Sequence, residues 1–149
     1  MAMRLAEAKA RAAAKRFADA CIIGCDQVAS CDGEILGKPG NYANAVRQLQ
    51  FLSGREAVFD TALCVHNTET GIIAKRLVPS RVTFRTLDDG MIERYLRREQ
   101  PYDCAASAKV ETLGIALIKR LEGEDPNALI GLPLIALVDL LHEQGFDVL

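Results

Sequence analysis

Apolar residues recur at helical spacing along the first segment of the chain, MAMRLAEAKARAAAKRFADA. They are Met3, Ala6, Ala10, Ala13, Phe17 and Ala20. At 3.6 residues per turn these positions form one narrow stripe, which predicts a helix over residues 1–20. Most of the stripe is alanine, so the helix is suited to close approach by another backbone element.

Alternating and β-branched residues predict strands after this helix. The apolar run Cys21–Cys25 is typical of a short buried strand that ends before Asp26. Asp32-Gly33 is a tight-turn pair, so a hairpin is expected around it. Two segments rich in Val, Ile, Thr and Phe follow, at residues 56–66 and 72–85, and a polar tip joins them into a long hairpin.

Three further helices are predicted by capping residues and apolar spacing. Asn41 can cap a helix over residues 42–52, and residues 87–97 form a second helix with acidic residues in its first turn. Pro133 suits the first position of a last helix, which Gly145 ends. The buried stripe of that helix is expected to be Leu134, Leu137, Val138 and Leu141.

Strands and helices are interspersed along the chain, with a further strand predicted at residues 115–121. This order favours an α/β fold with a mixed twisted sheet and flanking helices over a purely parallel sheet. No linker divides the sequence, so a single domain over residues 1–149 is expected. The composition, 50% hydrophobic and 26% charged, is that of an ordinary globular protein.

Charge and cysteine content exclude several classes of protein. The formal net charge of -2 argues against a protein that holds nucleic acid on a broad basic face. No apolar run is long enough to span a membrane. Five cysteines, an odd number, favour reduced thiols in the cytoplasm over disulfides. A zinc site at Cys21, Cys25 and Cys31 is disfavoured because no CxxC pair is present and both histidines are distant in the sequence.

Four places carry polar side chains that chemistry could use. Asp26 follows the predicted strand, where a carboxylate could enter a crevice or belong to a solvated turn. Lys38 stands between Gly37 and Pro39, which would fix its direction, although a surface lysine in a loop is the more frequent case. Lys9 lies at the flank of the first helix's apolar stripe, where a solvated lysine is the default.

The fourth place is the alternating series Ser107, Lys109 and Glu111. In an extended segment these three side chains point to the same side. They could line a site or form the solvated face of a strand, and the pattern favours neither.

The strings LAEAKA, IIGCDQV, DGEILGKP and YDCAASAKVETLGIALIKRLEGEDPNALIGLPLIAL, in this order, resemble the Maf family of nucleotide pyrophosphatases. The resemblance runs from Leu5 to the last residues, and its ordered GxDQ, GKP and GLPL elements make it specific. It implies a Maf-like, inosine-triphosphatase-like fold and hydrolysis of a nucleoside triphosphate to the monophosphate and diphosphate. A divalent metal cation, Mg or Mn, is the implied cofactor. Maf-like proteins are often dimers, so a homodimer is compatible with the resemblance.

The resemblance also assigns roles to individual residues. Asp26 matches the family's proton acceptor, although it could instead orient the water or contact the metal. Gln27 matches a neighbour that contributes to base selection. Lys9 and Lys38 match lysines that face the substrate phosphates.

The late K-x-E element, which Lys109 and Glu111 match, bears on base preference. Subgroups acting on dTTP and UTP usually carry Gln at the position of Glu111, whereas CAASAKVE is more similar to the version in the 7-methyl-GTP subgroup. A carboxylate suits 7-methylguanine because that base is cationic and its edge can donate two hydrogen bonds. The resemblance therefore implies hydrolysis of 7-methyl-GTP. The alternatives are dTTP or UTP hydrolysis and a nucleotide-binding or regulatory module with impaired catalysis.

The chain also departs from the family pattern. The 7-methyl-GTP subgroup tends to have Gly, Phe, Ser and Gly at the positions of Ala106, Ala108, Val110 and Thr112, and Ala62 stands where Gly is usual. The family's opening strand and S-x-S-P-x-R-R loop have no counterpart in this sequence, nor does the subgroup's Trp in that loop. The expectation is a Maf-like domain truncated at its amino terminus, with weak activity of its own.

Overall fold

The computed structural model describes residues 1–149 and has an α/β fold, as predicted. Hairpins and helical connections both occur along the chain. The chain divides into two compact units. Unit 1 comprises residues 1–27, 60–79 and 123–149, and unit 2 comprises residues 28–59 and 80–122.

The strands are β1 (Cys21–Cys31), β2 (Glu34–Leu36), β3 (Glu56–Asn67), β4 (Ile73–Phe84) and β5 (Ile118–Gly123). They form one five-stranded sheet in the order β2–β1–β3–β4–β5. β1 and β2 are antiparallel, with Ala29 opposite Leu36. Asp32 and Gly33 form the turn between them at φ of 50° and 84°. Both hairpins predicted from the sequence are therefore confirmed.

The helices are α1 (Ala2–Ala14), α2 (Tyr42–Leu52), α3 (Asp89–Glu99) and α4 (Leu134–His142). In unit 1, α1 lies directly against β1 at Gly24, which is buried. A Cβ atom at Gly24 would lie 2.3 Å from the carbonyl oxygen of Ala6 and 2.9 Å from Cβ of Ala10. Small residues on both elements therefore permit the close approach that the alanine stripe predicts.

α1 is shorter than predicted, because it ends at Ala14 and not near residue 20. Ala20 is held instead by Thr68, just beyond β3. The N–H of Ala20 donates to the hydroxyl oxygen of Thr68 at 2.9 Å, and the N–H of Thr68 donates to the carbonyl oxygen of Ala20 at 3.0 Å. These bonds draw the chain out of the helix before β1 begins. Phe17 consequently lies outside the helix and is 54% exposed.

The hydrophobic core of unit 1 is formed by Leu63, Val65, Val78, Ala128, Ala136, Leu137 and Leu140. The last helix is present, but it begins at Leu134, one residue after the predicted start at Pro133, and ends at His142, before Gly145. Leu134 and Val138 are exposed, so the predicted stripe is wrong at these two positions. The buried carboxylate of Asp125 accepts the N–H of Ile135 at 2.7 Å. This bond fixes the orientation of the first turn, so the helix presents a different face to the core.

In unit 2, α2 packs against α3. Asn41 caps α2 by accepting the N–H of Asn44 at 2.9 Å, which confirms the predicted cap. Asp88 caps α3 by accepting the N–H of Met91 at 2.7 Å, so this acidic residue precedes the helix and α3 begins at Asp89. The strand predicted at residues 115–121 is displaced, because a short 3-10 turn occupies Leu113–Leu117 and β5 begins only afterwards.

None of the helices is both long and apolar enough to cross a membrane. All five cysteines are free thiols. Burial raises the pKa of each of them, and that of Cys104 rises to about 11. Thiols of this kind are poor nucleophiles at neutral pH, since the thiolate is the reactive form.

Candidate active site

A lysine of α1 and a carboxylate of β1 form an ion pair in unit 1. Nζ of Lys9 donates a hydrogen bond of 2.7 Å to Oδ1 of Asp26 and another of 3.0 Å to the carbonyl oxygen of Cys25. The side chain of Asp26 is 16% exposed. Its second oxygen, Oδ2, accepts no hydrogen bond from the protein. Lys9 is therefore not the freely solvated lysine of the default interpretation, and Asp26 keeps one oxygen for a water molecule or a ligand.

Asp26 lies in the middle of a strand, whereas the sequence places it at the end of one. The predicted strand Cys21–Cys25 continues to Cys31 because residues from Ala29 onward pair with β2. This strand is also less buried than predicted, with Ile23 45% exposed. The carboxylate is thus fixed by regular backbone on both sides.

The side chain of Gln27 is held by its neighbours in unit 1. Its Nε2 donates to the hydroxyl of Thr61 at 2.8 Å and to the carbonyls of Ala128 and Leu129 at 3.0 and 3.1 Å. Thr61 is fully buried and donates in turn to the carbonyl of Ala128 at 2.8 Å. The amide nitrogen of Gln27 is therefore committed to the protein, and its carbonyl oxygen is the atom that could face a ligand.

Unit 2 contains a cleft of about 390 Å³ between the loop that carries Lys38 and one face of α2. Lys38 and Arg47 both line this cleft, and neither has an ion-pair partner in the fold. The loop is anchored to α2 because the side-chain amide of Asn44 donates to the carbonyl of Pro39 at 2.8 Å. Arg47 donates to the side chain of the same Asn44. The cleft thus presents two cations suited to an anionic ligand, and one carboxylate, that of Glu34, also lines it.

Residues 105–112 form a compact loop and not an extended segment. Ala106 and Ser107 have positive φ angles of 57° and 54°, in a short 3-10 turn. Ser107 is buried, Lys109 is half-buried and Glu111 is exposed. The expectation that these three side chains point to one side is therefore wrong.

Tyr95 of α3 determines this loop conformation. Its buried hydroxyl donates to the carbonyl of Ser107 at 3.1 Å and accepts the N–H of Lys109 at 3.0 Å. Burial raises the pKa of Tyr95 to about 12. The loop closes at Gly114, where a Cβ atom would lie only 2.4 Å from the carbonyl oxygen of Lys109.

Lys109 and Glu111 have different surroundings, although they are close in sequence. Nζ of Lys109 lies 3.6 Å from Oε1 of Glu99 at the end of α3. Hydrogen bonds from Thr112 and from the N–H of Leu113, with Lys109 nearby, hold the pKa of Glu99 below its usual range. Glu111 has no ion-pair partner and lies on the surface. Its carboxylate is therefore available to a cationic group from outside the chain.

The structure brings together two of the six residues that the sequence singled out for the site, Lys9 and Asp26. Gln27 follows Asp26 in β1, and Lys9, Asp26 and Gln27 all belong to unit 1. The remaining three, Lys38, Lys109 and Glu111, belong to unit 2.

Sequence reasoning missed three residues that organise these surroundings, namely Gln48, Tyr95 and Asp125. Asp125 is buried and also accepts the N–H of Asn127 at 2.9 Å, which is the Asx-turn geometry that the Asp-Pro-Asn string could have indicated. Gln48 and Tyr95 lie within helices and interact with residues far away in sequence, so no local pattern points to them.

No group of three or more His, Cys, Asp and Glu side chains is arranged to hold a metal ion. Asp26 offers one free carboxylate oxygen, since Oδ1 is taken by Lys9. Magnesium is often bound through one or two carboxylates together with substrate phosphates. These residues therefore fit a cation that arrives with phosphates better than one held by the protein alone.

Comparison with known proteins identifies the family to which the chain belongs. The family model described as Maf-like protein matches residues 1–144. The 7-methyl-GTP pyrophosphatase of Methylobacillus flagellatus is 58% identical over 148 residues, which are 99% of this chain and 77% of that protein. The protein of the same name from Nitrosospira multiformis is also 58% identical, over 99% of this chain and 74% of its own length. A third, from Thiobacillus denitrificans, is 53% identical over 99% of this chain and 74% of its own length.

Proposed function

The chain belongs to the family of Maf-like proteins, and we propose that it hydrolyses 7-methyl-GTP to 7-methyl-GMP and diphosphate. Such a reaction removes a modified nucleotide from the pool. The substrate is a nucleoside triphosphate, the metal is Mg or Mn, and the compartment that suits five free thiols is the cytoplasm. Nucleic acid and membranes are not partners in this proposal, and a homodimer is compatible with it.

The observation that carries the proposal is the pairing of Asp26 with Lys9. A carboxylate that is held on one oxygen by an ammonium group at 2.7 Å, with its other oxygen free, is oriented to receive a proton from water. General bases of this kind contribute about 10²- to 10⁴-fold to a rate. The side chain is mostly shielded, which strengthens its interaction with a bound water.

In the proposed reaction, the oxygen of a water molecule forms a bond to the α-phosphorus while the bond from that phosphorus to the α–β bridging oxygen breaks. Asp26 accepts the proton that the water loses, and diphosphate leaves with the bridging oxygen. Because this chemistry depends mainly on positioning and charge, the protein contributes an oriented water and cations near the phosphate oxygens. Lys38, which has no ion-pair partner, is suited to the second task.

A divalent cation, when bound, would neutralise phosphate charge, and Oδ2 of Asp26 is the protein atom that could touch it. Lys9 has a separate effect, since it keeps the carboxylate in place through Oδ1. Proton acceptance and metal contact, the two roles that the sequence left open, would therefore compete for the same free oxygen, Oδ2, and in this proposal that oxygen accepts the proton.

Base preference in this proposal depends on Glu111. The 7-methylguanine base is cationic, and an exposed carboxylate without an ion-pair partner can accept charge-assisted hydrogen bonds from it. Hydrogen bonds to charged groups contribute about 1.5–3 kcal/mol. This range corresponds to a preference of roughly tenfold or more over an uncharged base.

The proposal is tested by measuring diphosphate release from 7-methyl-GTP, GTP, UTP and dTTP with Mg²⁺, using the purified chain. We expect 7-methyl-GTP to be hydrolysed with the highest kcat/KM. A preference for UTP or dTTP would transfer the assignment to the other subgroups. Nucleotide binding without turnover would identify a regulatory module instead.

A further inference from the structure

One side chain of α2 connects two loops of unit 2 that carry lysines. Nε2 of Gln48 donates a hydrogen bond of 2.9 Å to the carbonyl oxygen of Gly37, next to Lys38. Oε1 of Gln48 accepts a hydrogen bond of 2.6 Å from the hydroxyl of Ser107, two positions before Lys109. Both ends of one amide group are therefore used, each by a different loop.

The Ser107 end of this connection is rigid. Ser107 is fully buried, and its carbonyl is held by the hydroxyl of Tyr95 at 3.1 Å while its own hydroxyl reaches Gln48. The residue also has a left-handed φ of 54°, as does Ala106 at 57°. Such conformations cost roughly 1 kcal/mol or more for residues other than glycine, so they persist only where surrounding contacts enforce them. Gln48 and Tyr95 are those contacts.

The Gly37 end lies in the cleft that Lys38 and Arg47 line. A second bond, from the N–H of Gly40 to the carbonyl of Tyr102 at 2.9 Å, joins the same two stretches of chain by backbone alone. Gln48 is the side chain that completes the link, because it reaches both the Lys38 loop and the Ser107 turn from one helix position.

We propose that Gln48 is a positioning residue for the reaction: it fixes the loop of Lys38 against the loop of Lys109, and so sets where both ammonium groups stand. This inference rests on the proposed hydrolysis of a nucleoside triphosphate. Misplacement of a charged group by about 1 Å can cost on the order of 100-fold in rate, so one glutamine acting on two lysines can have a measurable effect without touching the substrate.

The test uses Gln48→Met, which keeps the length of the side chain and removes both hydrogen bonds, and Ser107→Ala, which removes one of them from the other side. Gln50→Met is the matched control, since Gln50 is on the same helix and donates to Asp89 at 3.0 Å, away from the cleft. We expect Gln48→Met and Ser107→Ala each to lower kcat for 7-methyl-GTP by about tenfold while KM changes less than about threefold. Gln50→Met should behave as the wild type.

The double variant separates positioning from general destabilisation. If Gln48 and Ser107 act through their shared hydrogen bond, the double variant loses about as much kcat as Gln48→Met alone, and not the product of the two losses. Multiplied losses, an equal loss in Gln50→Met, or unchanged kcat in Gln48→Met would each overturn the proposal. A melting temperature is recorded for every variant, so that a loss caused by unfolding is recognised.

Hydrogen exchange gives a reading that does not depend on activity. The N–H of Lys109 is bonded to Tyr95 and that of Gly40 to Tyr102, so both amides are protected in the wild type. Gln48→Met should accelerate exchange at both, and Gln50→Met at neither. If the wild-type chain does not hydrolyse nucleotides, the proposed function fails, whereas unchanged exchange in Gln48→Met refutes the positioning role itself.

Discussion

The ammonium group of Lys9 lies 2.7 Å from Oδ1 of Asp26, and this contact joins α1 to the middle of β1. It is possible because Gly24 lets the helix approach the strand closely. The alanine face of α1 and the geometry of the candidate catalytic carboxylate are therefore connected: packing at Gly24 places Lys9 where it can hold Asp26.

Asp26→Asn tests the role of the carboxylate directly. The amide keeps the shape of the side chain but cannot accept a proton from water, so we expect turnover of 7-methyl-GTP to fall by about 10²- to 10⁴-fold. Nucleotide affinity should change little, which calorimetric titration would show. Near-normal turnover in this variant would remove Asp26 from the mechanism.

Gly24→Ala tests the packing of α1 on β1. The added methyl group would meet the backbone oxygen of Ala6 at 2.3 Å, and backbone cannot move aside as a flexible side chain can. We expect a loss of about 1–3 kcal/mol in the free energy of unfolding and a fall in kcat, because Lys9 moves with the helix. Gly37→Ala is the control for the free energy of unfolding alone, since a Cβ there has no neighbour within 4 Å but Gly37 belongs to the loop of Lys38. An unchanged melting temperature in Gly24→Ala would mean that the helix is not held this closely.

Because the hydroxyl of Tyr95 is buried, we expect the protein to lose stability at alkaline pH. Burial raises the pKa of its hydroxyl from 10.0 to about 12, so the folded state keeps a proton that the unfolded chain releases earlier. The difference between the two pKa values contributes about 2–3 kcal/mol to the free energy of unfolding. This stabilisation is complete below pH 10 and is lost as the pH rises from about 10 through about 12. Tyr95→Phe should show a smaller decline than the wild type in denaturant titrations across this range.

The matched control for that experiment is Tyr42→Phe, because Tyr42 is 42% exposed. Every other ionisable group is common to the three proteins, so only the difference between variants is informative. Equal declines in the wild type and Tyr95→Phe would contradict the assigned role of the buried hydroxyl.

Glu111→Gln tests base preference. The substitution removes a charge and keeps an acceptor oxygen, so discrimination in favour of 7-methyl-GTP over UTP and dTTP should fall by about tenfold or more. Glu69→Gln, which changes another exposed carboxylate without an ion-pair partner, is the control, because Glu69 does not line the cleft of Lys38. Equal losses on every nucleotide would assign Glu111 to the structure of its loop and not to the base.

Much of the fold could be predicted because its cues are local. Asn41 and Asp88 were recognisable as residues near helix starts, and Asp32-Gly33 as a turn, because each acts through backbone groups two or three positions away. The end of α1 could not be predicted, since it depends on hydrogen bonds between Ala20 and Thr68.

The candidate site shows the same division. Short strings carry Lys9, Asp26 and Lys38, so the sequence alone singles these residues out. The alternation at Ser107 would place three side chains on one side only in an extended segment, and the structure has a compact turn there. Nothing in the sequence of this loop indicates that Ala106 and Ser107 have left-handed φ angles. That conformation is imposed by Tyr95 and Gln48, which are distant in the chain.

The most direct test of the account is single-turnover hydrolysis of 7-methyl-GTP in H₂¹⁸O with Mg²⁺, followed by mass spectrometry of both products. Attack of a water oriented by Asp26 on the α-phosphorus places the heavy oxygen in 7-methyl-GMP and leaves diphosphate unlabelled. Asp26→Asn should give the same labelling at a much lower rate. Label in diphosphate, or release of orthophosphate as the first product, would show that another phosphorus is attacked and would contradict the proposed mechanism.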